Sequence, residues 1–166
     1  LMASTWSNAE LILMTTGEND NTWGEQTNNN LNRLDDMVNQ MIGVTLSSTS
    51  FTLPFTNDPT SYTQEAGRCK ILDFTGNPGG TCTVTFPNKK MWYYVLNNTS
   101  DNNTIICTTG SGTSYSVLAA RDSIIFINGS NVVANAINDL QVNTINGVNP
   151  ANNATKGFAI AMAVAL

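Results

Sequence analysis

Histidine is absent from the 166 residues. Ser-His and Cys-His nucleophile systems, imidazole metal sites and switches driven by histidine titration are therefore excluded. Charge is scarce too: Asp, Glu, Lys and Arg make up 11% of the chain, with seven basic against twelve acidic residues and a net charge of -5. Basic residues this thinly scattered argue against nucleic-acid binding by phosphate neutralisation, and they form no patch for a membrane surface. Long apolar runs are missing. The longest, Phe158 to Leu166, is about half of the roughly 18 residues that a span requires, so membrane insertion is not expected. Before Gly17 there is Glu10, no Lys or Arg, and an apolar run of only Leu11 to Met14. No export signal is read there, and the protein is expected to be made and to mature in a cytosol. Cysteine occurs three times, as Cys69, Cys82 and Cys107, without C-x-x-C spacing. The three read as small buried hydrophobes in strands rather than as ligands or a disulfide.

What is present suits one core. At 41% hydrophobic content the chain can bury a single β domain with an extended arm. Asn and Thr supply about a quarter of the residues. That composition favours turns and strands, because Asn competes for its own backbone and Thr is stiff at Cβ.

The stretch Thr22-Trp23-Gly24-Glu25 has capping-box spacing, with Thr22 placed to accept from the third helical amide. The expectation is a helix from Trp23 to Ile42, stopped by Gly43. Its apolar residues Leu31, Leu34, Val38 and Met41 recur at steps of three, four and three, with Thr27 and Gly24 continuing the register backwards. This narrow seam needs a partner surface, because Asn28, Asn29 and Asn30 are poor helix formers. The partner is either the chain's own β domain or copies of the helix, and the spacing leaves both open.

Beyond Gly43 the period becomes two. "TCTVTF" sets Cys82, Val84 and Phe86 opposite Thr81, Thr83 and Thr85. Further strands are expected at Phe51 to Phe55, Lys70 to Phe74, Met91 to Leu96, Thr104 to Thr108, Ser114 to Leu118 and Ser123 to Ile127. Turn clusters "TGNPGG", "NNTSDNN" and "TGSG" separate them, and Asn128-Gly129-Ser130-Asn131 leads into Val132-Val133 as a hairpin. Short strands at this spacing predict a mainly β fold, an antiparallel β-sandwich or barrel-like domain. The expected organisation is an extended arm over 1–22, the helix over 23–43, the β domain over 44–133 and an extended arm over 134–166. In the last, Phe158, Ile160, Met162, Val164 and Leu166 alternate with alanines, which reads as an apolar strand with one bulky face.

Catalytic and metal-binding patterns are weak. The "GNPGG" loop lacks a following Lys-Ser/Thr and reads as a turn, not a phosphate cradle. "ENDN" at Glu18 to Asn21 lacks the remaining spacing of a calcium loop. Asp35 and Asp36 point about 100 degrees apart on a helix, and Glu65, Asp73, Asp101 and Asp122 sit on separate turns or strand ends, so solvated surface is the expectation for them. No catalytic residue, metal site or cofactor is assigned.

"MAST" followed by "LILMTTGENDNTWGEQTNNNLNRLDDMVNQMI" resembles the N-terminal region of virion structural and tail-fibre proteins of tailed bacteriophages, especially those of cyanobacteria and marine bacteria. The similarity covers Met2 to about Ile42 and rests on Thr16, Gly17, Glu18, Thr22, Trp23, Gly24, Thr27, Asn28, Asn30 and Leu31 at their spacings. The segment from Phe74 to Val133 looks like the β module that often follows, with an aromatic strand, an N-N-T turn and a G-x-N-V-V hairpin. The resemblance implies a homotrimeric, non-enzymatic appendage of a virion assembled in the bacterial host cytoplasm. Attachment to tail, baseplate or capsid proteins would run through Thr16, Gly17, Glu18, Thr22, Trp23 and Gly24, with Trp23 as apolar anchor. The oligomer interface would hold Leu31, Leu34, Val38, Met41, Phe158, Ile160, Met162 and Val164. The length departs from the pattern, since such fibres usually continue into a receptor-binding tip. A short fibre or an anchor for a distal fibre is the leading expectation, a capsid-surface decoration or head fibre the next, and a module that binds or depolymerises host surface glycan the last.

Overall fold

The computed structural model describes residues 4–134. A two-stranded hairpin, β1 (Thr5–Trp6) and β2 (Ile12–Leu13), precedes one helix, α1 (Trp23–Val38). Nine strands follow: β3 (Met41–Leu46), β4 (Ser50–Thr52), β5 (Ile71–Gly76), β6 (Cys82–Thr85), β7 (Met91–Asn97), β8 (Ile105–Thr108), β9 (Tyr115–Val117), β10 (Asp122–Ile127) and β11 (Val132–Ala134). They form a five-stranded sheet ordered β11-β10-β7-β5-β3 and a four-stranded sheet ordered β4-β6-β8-β9. The fold is mainly β, and every strand segment expected between Gly43 and Val133 overlaps one of these nine.

The expected antiparallel pairing is corrected. β3–β5, β5–β7, β4–β6 and β6–β8 are all parallel, and only β8–β9, β7–β10 and β10–β11 in these sheets are antiparallel. The chain changes sheet at each connection from β3 through to β8, so a strand returns beside the one two before it. A period of two specifies which residues face inward, but it reads the same for either direction of pairing. Both sheets are open, and neither closes into a barrel.

Their inward residues fill one apolar cluster. Leu46, Leu72, Phe74, Tyr93, Val95, Ile125 and Ile127 enter it from the larger sheet, and Cys82, Val84, Ile105, Cys107 and Val117 from the smaller. All three cysteines are free and buried, matching the expectation of small hydrophobes. Stacked corners make demands of their own. Gly76 lies opposite Leu46 with φ +87°, and a Cβ there would stand 2.5 Å from the Leu46 carbonyl oxygen, so only glycine fits. At the next corner the buried Asn97 amide donates to the carbonyls of Asn103 (2.9 Å) and Val117 (3.0 Å), and its oxygen accepts from the Thr99 hydroxyl (2.8 Å).

The helix is shorter than expected. It ends at Val38, and Met41, Ile42 and Gly43 belong to β3. The Asp36 carbonyl accepts from the Lys70 amide and the Gln40 carbonyl from the Ile71 amide, so the last turn gives way to pairing with β5. A lone helix end frays cheaply, whereas a β strand at the sheet edge gains ladder bonds. The capping box is also corrected: Thr22 makes no side-chain bond into the helix, and its hydroxyl donates backwards to the Asn19 carbonyl (3.2 Å).

Candidate functional site

The helix is inside out. Its buried residues are Asn29, Arg33 and Asp36, while Leu31, Leu34 and Val38 are exposed, with Val38 at 63%. Met41, now at the start of β3, is exposed as well. Among the described residues the β domain does not cover the seam, and the polar side of the helix, with the half-buried Met37, faces it instead.

That polar side is held by specific bonds. Arg33 is 1% exposed and donates to the carbonyls of Pro59 (2.9 Å) and Ser61 (2.8 Å). Burial, followed by the nearby Arg68 charge, lowers its pKa from the usual arginine value. Asp36, expected to be solvated, is 1% exposed and accepts from the Tyr62 hydroxyl (3.3 Å) and the Gln64 amide (3.2 Å). Burial and the Asp36 charge raise the Tyr62 hydroxyl, and the same two causes push the Cys69 thiol up to about 11. Glu65, likewise expected on the surface, pairs with the buried Arg68 at 3.0 Å and caps the Thr56 amide. Pro59, Ser61, Tyr62 and Gln64 of the 54–68 loop form a polar bed for the helix.

The N-terminal arm is tied to the same loop. The Asn30 side chain donates to the Ile12 carbonyl (2.9 Å) and accepts from its amide (3.0 Å), as a neighbouring strand would. Arg68 donates to the Ala9 carbonyl (3.0 Å), and the buried Glu10 pairs with Lys89 and accepts from the Asp58 amide. Burial alone would raise the Glu10 carboxyl, but the Asp58 amide and the Lys89 ammonium outweigh it and hold it below the usual range. The extended arm expected over 1–22 is therefore corrected for residues 5–13, which fold back as a hairpin. The expected attachment residues follow it. Thr16, Gly17 and Thr22 are exposed, Glu18 and Gly24 are half-buried, and Glu18 accepts from Ser4. Trp23 is 64% exposed, which rules out an ordinary contact with the chain's own core.

No known family, curated protein or solved structure matches the chain. Geometry alone carries the site.

Two carboxylates that look scattered in the sequence share one outward row of the larger sheet. Asp122 and Asp73 flank Leu96 across β10, β7 and β5. Asp122 accepts from the Tyr94 hydroxyl and Asp73 from the Asn98 amide (2.8 Å), on an open sheet face. Sequence reasoning misses other exposed residues: Trp92, Ile124, Phe126 and Val133 on that same face. A signal for them exists in "MWYYVL" and "SIIFI", which are nearly continuous apolar runs rather than alternations. Phe158, Ile160, Met162 and Val164 lie outside the described residues.

Proposed function

We propose that the chain is a non-enzymatic structural subunit of a phage particle, a short trimeric fibre or fibre anchor whose helices meet at a threefold axis. The inverted helix is the observation that carries this reading. A helix that spends its polar side on its own domain and leaves Leu31, Leu34 and Val38 about half exposed forfeits roughly half of the 1.5 to 3 kcal/mol that full burial of each would contribute, which association recovers. Little more than two heptads do not set the oligomer number. The resemblance of Met2 to Ile42 to phage fibre proteins supplies both the particle and the number three. Residues Thr16 to Gly24, with the exposed Trp23, hold the tail, baseplate or capsid protein.

The test is the sedimentation mass of the full chain together with imaging of the virion. Three times the 17.8 kDa chain mass, with density at the tail or collar, is the expected result. A monomer at micromolar concentration overturns the trimer, and density spread over the capsid lattice replaces the fibre with a decoration protein. Depolymerase activity on host polysaccharide, abolished by Asp73→Asn or Asp122→Asn, overturns the non-enzymatic reading.

A further inference from the structure

Strand register sorts the outer face of the five-stranded sheet into rows that cross the strands. Val133, Phe126 and Trp92 are mutually opposite on β11, β10 and β7. The next row is Ile124, Tyr94, Ile71 and Met41, on β10, β7, β5 and β3. Val133, Phe126, Trp92, Ile124 and Met41 are each about half exposed. Carboxylates begin only in the third row, with Asp122 and Asp73, and Thr75 and Thr45 follow. The face is apolar at one end and polar at the other. Lys70, at the apolar end, has its ammonium 4.0 Å from the centroid of the Trp92 ring and donates to the Trp92 carbonyl, so it too is turned to local use.

We propose that these two apolar rows are part of the surface by which copies of the chain associate, and that their occupant is a second copy. The proposal rests on the trimer reading above and extends it from the helix to the sheet. Continuity is the first reason. Met41 is the last residue of the seam spacing and also the β3 member of the second row, so a partner that covers the seam is led onto the sheet. Area is the second. The four seam residues, each about half exposed, offer only about 400 Å², whereas a stable interface takes about 800 Å² from each partner. Trp92, Ile124, Phe126 and Val133 add about as much again, which brings the sum close to that requirement. Chemistry is the third: copies that each carry net charge -5 meet most easily where neither presents a carboxylate, and the two rows hold none.

The experiment uses the full chain and measures mass against concentration by sedimentation, with circular dichroism as the check on folding. Wild type should be a trimer. Phe126→Glu and Leu34→Asp should each weaken association at least tenfold with an unchanged β spectrum, and Thr45→Glu at the polar end should leave the mass unchanged. If Leu34→Asp dissociates the trimer and Phe126→Glu does not, the sheet proposal falls and the helix reading stands. If wild type is a monomer, both fall. Should Phe126→Glu fail to fold, a photoreactive benzophenone side chain at position 126 replaces it. Covalent links between chains then support the proposal, and links confined to the same chain, including to residues 135–166, overturn it.

Discussion

Helix and strands in this chain bury opposite kinds of side chain. The strands put leucine, valine, isoleucine and aromatic residues between the sheets, whereas the helix puts Asn29, Arg33 and Asp36 against its own domain and turns its leucines outward. Each arrangement costs something different. Burying the strand residues is favourable by itself. Burying Arg33 and Asp36 is unfavourable unless their bonds are made; the 54–68 loop supplies two carbonyls to Arg33 and a hydroxyl and an amide to one Asp36 oxygen, and the other Asp36 oxygen has no hydrogen-bond partner among the described residues. The contrast teaches that the two sheets are arranged as the inside of a folding unit and the helix as its outside.

The most severe way to break that contrast is to spoil the outward side. Leu34→Asp places like charges together near the proposed axis, and association should weaken by about a thousandfold in sedimentation, with the helical signal retained. Spoiling the inward side should do the reverse. Arg33→Ala strands the Pro59 and Ser61 carbonyls, and urea unfolding should show a loss of about 3 kcal/mol within each subunit. The larger sheet supplies a control that involves neither side of the helix: Gly76→Ala forces a Cβ toward the Leu46 carbonyl at positive φ, and the loss should be about 2 kcal/mol in the same assay.

The smallest effect is that of pH. Glu10 and Glu65 both have carboxyl pKa values held below the ordinary range. For each, burial acts upward and is outweighed, by Asp58 and Lys89 at Glu10 and by Thr56 and Arg68 at Glu65. A depressed folded-state pKa contributes stability that is complete above the ordinary glutamate value of about 4.3 and is lost as pH falls through the lowered values. Thermal midpoints should therefore decline below about pH 4, and Glu10→Gln should flatten part of that decline. With no histidine to titrate, no comparable step is expected between pH 6 and 8.

Much of the candidate surface is legible in the amino-acid sequence. The spacing of Leu31, Leu34 and Val38 marks one helix face, and those residues do share an exposed side. Which side of the helix meets the domain is not legible, because that depends on acceptors in a loop more than twenty residues away. The burial of Asp36 is hidden for the same reason, since its partners Tyr62 and Gln64 are supplied by that loop. The outer sheet face is hidden differently. Both alternating sets of "MWYYVL" are apolar, so a period of two cannot separate the residues that enter the core from those that cover the outer face.

By itself the sequence determined where the helix would start and where strands would form between Gly43 and Val133, which cysteines and aliphatic residues would fill a core, and which chemistries were closed to a chain without histidine. These are local matters, set by side-chain period, backbone propensity and functional groups present or absent. Only the tertiary structure decided that successive strands would alternate between two sheets and pair in parallel, that Met41 would leave the helix for β3, and that the helix would turn its polar side inward. Each of those choices is made by a hydrogen-bond partner distant in the chain, and a local pattern of apolar and polar residues carries no record of which distant partner will arrive.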